Sequence, residues 1–316
     1  GNLLINSVAT QKIHGLTDGS IHFSCLPICH VNAFSFTYFT SLMVGSSFIY
    51  QQTFFPLNYW KLIKDHKVEI VSATPHIINL LNQDKREFNS SEYPQLKYFV
   101  SASAPLSTND IKRFKQKFNV RINQAYGLSE TVNFSLTVPP NLSEETYIKA
   151  MEDQIIPSAG VPIFGNTVDV ISTESNELLT ESHTGELVIR GWNVFKSYLG
   201  NEEETAKATA HEYFHTGDLG FYKMIDGHKF LFINGRLKEV VKRKGLLCHL
   251  SEIDLDLKEY FKDLSYSTCG FSNEITGEEI GLIIEELNDK TESLNLHGLL
   301  NQVTLTPTLA KIPVPA

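Results

Sequence analysis

Over the first 130 residues, short β-branched and aromatic runs alternate with segments of helical spacing. Residues 2–12 read as a helix, and Ile21 to Leu26 as a strand that delivers Pro27 and His30 to its end. Phe34 to Tyr50 is apolar but broken by Ser, Thr and Gly, the pattern of a buried helix followed by a strand. Val68 to Ala73 is a further buried strand. Thr74-Pro75 then opens a helix through Asn82, with proline at the first helical position, where its missing N–H costs nothing. Tyr98 to Ser101 is a third strand, Ser107 opens an amphipathic helix from Asp110 to Phe118, and Val120 to Ile122 begins another strand. Strands alternating with helices in this way predict an α/β layer around a mostly parallel sheet.

Beyond about residue 156 the period changes. Val168 to Ser172, Leu187 to Arg190 and Lys229 to Ile233 are short strands between Gly-rich turns, which predicts a small β-barrel-like part. From Gly235 the chain turns basic, with Arg236, Lys238, Lys242, Arg243 and Lys244. A last α+β piece follows, in which Ser251 is expected to cap a helix to Phe261.

At 316 residues, 42% of them hydrophobic and 20% charged, the chain can build two or more domains with a real core. Its net charge of -9 argues against general binding to nucleic acid or an anionic membrane surface, which select a basic face. No run approaches the ~20 apolar residues of a membrane span, so stable membrane insertion is not expected. Cys25, Cys29, Cys248 and Cys269 are too few for a disulfide scaffold, and reduced thiols in a cytoplasmic protein are the simplest reading. The chain opens on Gly1-Asn2-Leu3-Leu4 as though inside a helix, without an initiator Met or a signal-peptide pattern, and is expected to be a fragment.

The chemistry concentrates in Asn123-Gln124-Ala125-Tyr126-Gly127-Leu128-Ser129-Glu130-Thr131. Here a strand is expected to end in a loop offering a flat ring, a flexible backbone point, a hydroxyl and a hard oxygen ligand. An aromatic face suits a nucleobase, and a carboxylate suits Mg²⁺ beside phosphates. An ordinary strand-to-loop turn has the same composition, so the neighbouring motifs decide. Val100-Ser101-Ala102-Ser103-Ala104-Pro105-Leu106-Ser107 runs a strand through small residues to a helix start, a place where backbone amides approach a ligand closely. His211-Glu212-Tyr213-Phe214-His215 is a literal zinc-protease pattern, but that motif works only on a helix, and Thr216-Gly217-Asp218-Leu219-Gly220, which follows at once, continues a helix poorly. Cys25, Cys29 and His30 fall short of the four ligands of a structural zinc.

Six motifs, in order, resemble those of the adenylate-forming enzymes, which include acyl-CoA synthetases, aryl-CoA ligases, luciferases and peptide-synthetase adenylation domains. They are Leu26-Pro27-Ile28-Cys29-His30, Ser103-Ala104-Pro105-Leu106-Ser107, Tyr126-Gly127-Leu128-Ser129-Glu130, Gly185 to Gly191, Thr216-Gly217-Asp218 and Gly235-Arg236-Leu237-Lys238. The resemblance covers about residues 1–260. It implies an N-terminally truncated large domain over 1–237, made of an αβα sandwich (1–156) and a distorted β-barrel part (157–237). A small mobile α+β domain over 238–316 would follow.

The resemblance also implies roles. Ser103, Ala104, Pro105, Gln124, Tyr126 and Gly127 would surround AMP or ATP, with Tyr126 on the adenine. Asp218 and Arg236 would hold the ribose and α-phosphate. Ser129 would bind phosphate and Glu130 the Mg²⁺. His30 and Ala125 would line the acid pocket, Lys311 would serve adenylation, Lys238 the hinge, and Lys242 the thioester-forming state. The implied activity is AMP-forming ligation of a carboxylic acid to CoA or to the phosphopantetheine thiol of an acyl carrier protein.

No acidic residue lies between Pro27 and Tyr50; the peptide-synthetase adenylation domains of the family usually hold the substrate ammonium with an Asp there, so the resemblance implies a non-amino acyl or aryl acid. Phe34, Phe36, Tyr38 and Phe39 give that region apolar surroundings. The family's phosphate loop, which normally precedes the helix at Asn2, is missing from this sequence. Thr306 to Ile312 has Ala310 in place of the usual glycine before Lys311. A non-catalytic member that binds nucleotide or a protein partner is therefore the alternative, with a luciferase-like oxygenase on the same scaffold behind it.

Overall fold

The computed structural model describes residues 1–104, 106–243, 246–257, 266–273 and 277–284. The chain divides into two compact units, one of Gly1–Thr216 with Gly220–Ile233, the other of Gly217–Leu219 with the residues from Asn234 on.

The first unit begins with α1 (Asn2–His14) and β1 (Ile21–Ser24). A π-helix, Asn32–Phe39, then runs into α2 (Thr40–Val44), β2 (Ser47–Tyr50), α3 (Pro56–Asp65), β3 (Ile70–Ala73), α4 (Pro75–Gln83), β4 (Tyr98–Ser101), α5 (Thr108–Phe118) and β5 (Arg121–Gly127). β6 (Phe134–Thr137) and β7 (Val161–Pro162) complete a seven-stranded sheet in the order β2-β1-β3-β4-β5-β6-β7. Its first five strands pair in parallel, and β6 and β7 are antiparallel.

Side chains alternate across the sheet, so each face has its own partners. Phe23, Val71, Phe99 and Ile122 pack against α3, α4 and α5 through Tyr59, Ile63, Ile78, Leu81, Phe114 and Phe118. On the opposite face Ile70, Tyr98, Val100, Ala102 and Ala125 pack with Phe36 of the π-helix and with Leu16 just past α1. The expected αβα sandwich is present. Its caps are as the residue types dictate: the Thr74 side chain accepts from the N–H of Ile77, and Ser107 accepts from that of Asp110 and donates to its Oδ2 at 2.6 Å.

The β-barrel-like part is a four-stranded sheet, β11-β10-β9-β8, made of β8 (Asn166–Ile171), β9 (Gly185–Gly191), β10 (Phe214–Ile225) and β11 (His228–Arg236). A bridge between Gly160 and Leu231 carries strand pairing from the large sheet onto β11. The second unit contains a four-stranded sheet, β13-β12-β15-β14, of β12 (Val240–Arg243), β13 (Leu246–His249), β14 (Tyr266–Asn273) and β15 (Gly277–Ile284). Its helix, Leu250–Leu257, begins one residue before Ser251, which lies inside the first turn and not at the cap, and residues 258–261 of the expected helix lie outside the described residues. All four cysteines are free, and burial pushes the Cys25 thiol up to about 11. Among the described residues no helix is long and apolar enough to cross a membrane.

Candidate nucleotide and acid site

The motif at residues 123–131 is not a strand ending in a loop at Asn123. β5 continues through Gly127 because β6 returns beside it, pairing Ala125 with Thr137 and Tyr126 with Leu136. A Cβ on Gly127 would stand 1.6 Å from the carbonyl oxygen of Asn133, so only glycine lets the two backbones pass this closely. Beyond it Ser129–Thr131 forms one short helical turn. Thr131 is fully buried and its hydroxyl takes the N–H of Leu128 and donates to the carbonyl of Asn133, both at 3.1 Å.

Val132 follows at φ 68° and ψ -47°, and the N–H of Asn133 reaches back to the Thr131 carbonyl at 2.8 Å. This three-residue γ-turn is strained for a β-branched residue. The buried Asn193 amide holds the turn from outside, donating to the Thr131 carbonyl at 2.8 Å.

That scaffold presents Ser129 exposed and Glu130 half-buried. The Glu130 backbone carbonyl accepts from the N–H of Phe195 at 2.7 Å, and its side-chain Oε1 accepts from the Tyr198 hydroxyl at 2.9 Å. Burial and the neighbouring Glu130 carboxylate raise the Tyr198 phenol to about 12, so it stays a donor. The carboxylate is thus fixed through one oxygen while Oε2 remains for a cation, and a half-exposed hard oxygen is the ligand type Mg²⁺ takes beside phosphates. Tyr198 and Asn193 carry no signal in the sequence, and Thr131, the last residue of the motif, has no role assigned from it. Tyr198 is 68 positions from Glu130, with no periodicity to link them.

The other expected residues are dispersed in what they do. Gln124 is spent on structure, its amide donating to the carbonyls of Ser158 at 3.0 Å and Pro157 at 3.2 Å. Ala125 is buried on the sheet face that carries Phe36, and Tyr126 is half-buried against the core of the β8–β11 sheet. Ser103 and Ala104 are exposed after β4, with Ser103 at φ 80°, and Pro105 lies outside the described residues. His30 is exposed in a turn closed by its N–H to the Pro27 carbonyl at 2.9 Å. Of the aromatic residues expected around the acid, Phe36 is fully buried, whereas Phe34 is 40% exposed.

In the second unit Asp218 is buried, and its Oδ1 pairs with the Nε of the exposed Arg236 at 3.2 Å. Lys238 is exposed in the short turn Leu237–Glu239. Lys242 lies on β12 opposite Leu247, and Lys311 lies outside the described residues.

The zinc-protease reading fails on geometry. Ala210–Glu212 is a distorted turn in which His211 and Glu212 both take positive φ, and His215 is already on β10. The two imidazoles are therefore not stacked on one helix face; His215 Nδ1 instead pairs with Glu186 at 2.9 Å. Among the described residues no group of three or more His, Cys, Asp or Glu side chains is arranged to hold a metal.

Residues 1–199 match the family model described as AMP-binding enzyme, and the chain belongs to that family. It is 28% identical over 285 residues to an oxalate–CoA ligase of Arabidopsis thaliana, covering 89% of this chain and 53% of the relative. It is 29% identical over 269 residues to the long-chain-fatty-acid–CoA ligase FadD13 of Mycobacterium tuberculosis, covering 84% and 50%. The chain thus spans about half the length of the curated relatives it matches. The crystal structure of ATP-bound MatB from Rhodopseudomonas palustris superimposes on 97% of this chain and 58% of that one, with a TM-score of 0.80 at 23% identity, which establishes the shared fold.

Proposed function

We propose that the whole protein is an AMP-forming carboxylate–thiol ligase, which first joins an acid to AMP and then passes the acyl group to CoA or a carrier-protein thiol. The observation that carries this reading is the built loop at residues 127–132: a backbone crossing only glycine permits, a strained γ-turn, and a Glu130 carboxylate fixed by Tyr198. Membership of the AMP-binding family and relatives that ligate acids to CoA support it.

In this reading Tyr126 offers its ring to adenine and Asp218 accepts both ribose hydroxyls, while Arg236 reaches the α-phosphate with its fixed fork. Ser129 donates to phosphate, and Glu130 would hold Mg²⁺ through Oε2. The ion's chemistry there is to neutralise charge building on the phosphate oxygens. Lys311 is assigned to the attacking carboxylate, and Lys238 and Lys242 to the change between adenylation and thioester formation.

The test is calorimetric titration of this chain with AMP and with 5′-O-sulfamoyladenosine, an adenylate mimic. Binding of the mimic that disappears in Asp218→Ala is the expected result. Failure of both ligands to bind the wild-type chain would favour the reading as a non-catalytic scaffold.

A further inference from the structure

The layer between the sheet and the helices α1 and Asn32–Phe39 is polar for an interior. Ser24, Ser72, Val100 and Asn123 stand in one row across β1, β3, β4 and β5, at or next to the carboxyl ends of β1, β3 and β4 and at the third residue of β5. Ligands in open α/β sheets collect at that end. The π-helix lies over the same face, with Thr37 Oγ1 3.3 Å from Ser72 Oγ, and π-turns inside helical segments mark functional sites more often than chance.

Asn123 is 1% exposed and Asn32, the first residue of the π-helix, 2% exposed, yet neither end of either amide has a hydrogen-bond partner. His22, one pleat deeper on the same face, is equally buried and equally unpartnered. Leaving buried amides unmatched costs far more than a Leu or Val would at the same positions. The two asparagines sit two residues from the expected acid-pocket residues on each side: Asn123 precedes Ala125 on one strand face, and Asn32 follows His30.

We infer that the acid taken by this site is short and carries a second, uncharged hydrogen-bonding group, a hydroxyl or keto oxygen, received by the amides of Asn123 and Asn32. The inference rests on the adenylate reading above. Length follows from geometry. Two residues along β5 separate Asn123 from Ala125, about 7 Å at strand spacing, the reach of a four-carbon chain. The same sheet face is filled beside Val100 and Ala125 by the fully buried Phe36, whose ring lies 5.1 Å from that of His14, 5.3 Å from His22 and 5.3 Å from Phe134, which leaves little space for a long tail. The lack of charge follows from the lining. Among the described residues no Lys or Arg is buried, so a second carboxylate would enter without a counter-cation.

The experiment titrates the 316-residue chain with 5′-O-sulfamoyladenosine and with its N-acyl derivatives carrying 4-hydroxybutanoyl, pentanoyl, succinyl and decanoyl tails. Pentanoyl replaces the terminal hydroxyl by a methyl group and nothing else. The hydroxy tail is expected to bind about tenfold or more tightly than pentanoyl, because a site with buried polar groups rejects the analogue that leaves them unpaired. Succinyl and decanoyl are expected to bind more weakly than either. Asn123→Leu should erase the hydroxyl preference while leaving sulfamoyladenosine affinity unchanged, and Asn32→Leu should reduce it.

Pentanoyl or decanoyl binding as well as the hydroxy tail in the wild-type chain would overturn the inference without any variant. A hydroxyl preference surviving both substitutions would also overturn it. If sulfamoyladenosine itself does not bind, the adenylate reading fails and the inference with it; if it binds and the tails rank otherwise, only the inference fails.

Discussion

At the scale of single residues, two positions in the Tyr126–Asn133 segment oppose each other in sign. Gly127 is dictated by space: the alanine methyl would overlap the Asn133 carbonyl and approach the Phe134 Cα within 2.9 Å. Gly127→Ala is therefore expected to cost on the order of 3 kcal/mol or more, since backbone and not a flexible side chain must give way. Urea unfolding would show it as a lower midpoint at unchanged slope, and an unchanged midpoint would contradict the crossing. Val132 is dictated by something other than stability, because its φ of 68° is one that glycine adopts freely and valine resists. Val132→Gly is expected to leave the fold as stable or up to about 1 kcal/mol more stable. The same change should weaken binding of the adenylate mimic, because the turn that aims Ser129 and Glu130 loosens. A variant losing stability and keeping affinity would show that Val132 serves packing instead. The sequence displays Tyr126, Gly127, Ser129, Glu130 and Thr131 as a contiguous motif, whereas Asn193 and Tyr198, which hold the loop from outside, act through sequence separations no spacing rule records.

At the scale of elements, strands and caps were legible because local chemistry settles them. Tyr98–Ser101 is bounded as read, and Thr74 and Ser107 cap as their hydroxyls predict. Ser107→Ala should lower stability by about 1 kcal/mol, the usual worth of such a cap, measurable by urea unfolding. Helix α1 was read as a helix, but its inward face was not readable. It buries Asn6, Ser7, Thr10 and His14 and leaves Leu4 and Val8 exposed, the reverse of the amphipathic rule. Its polar face is matched by the sheet: His14 Nδ1 shares a hydrogen bond with the Tyr98 hydroxyl at 3.0 Å and Nε2 with Thr137 at 3.3 Å, while Asn6 donates to the Phe134 carbonyl at 2.8 Å. This pairing has a pH consequence. Burial lowers His14 to about 3, with the nearby His22 adding to the effect, and burial lowers His22 to about 4. Both are below the ordinary value of 6.5, so the fold favours the neutral rings. Their contribution is complete above pH 6.5 and is lost progressively as pH falls from there toward 4 and then 3. Unfolding free energy measured at pH 7.5 and at pH 5 should therefore drop, and His22→Phe should make the drop smaller. An equal drop in wild type and variant would place the acid sensitivity elsewhere.

At the scale of the molecule, the division into two units falls at Asn234, four residues before the lysine read from sequence as a hinge. Strand β10 crosses the division, since Gly217–Leu219 belongs to one unit while the residues on either side belong to the other. Two side chains just before Gly217 secure β10 to β9: His215 pairs with the buried Glu186, and the Thr216 hydroxyl donates to the Leu187 carbonyl at 2.7 Å. On the far side of the division the exposed turn Leu237–Glu239 has no buried residue to restrain it, which suits a point where backbone dihedrals change between two working states. If a ligase runs adenylation and thioester formation in two domain orientations, the residue absorbing the rotation must be free to change φ. Proline removes that freedom by fixing φ near −65°. Lys238→Pro in the whole protein should therefore leave acid-dependent pyrophosphate release close to wild type and reduce thioester formation by at least tenfold, a ratio read from the two half-reactions in the same preparation. Loss of both to the same extent would move the hinge away from Lys238. Retention of both would mean that the second step needs no rotation there.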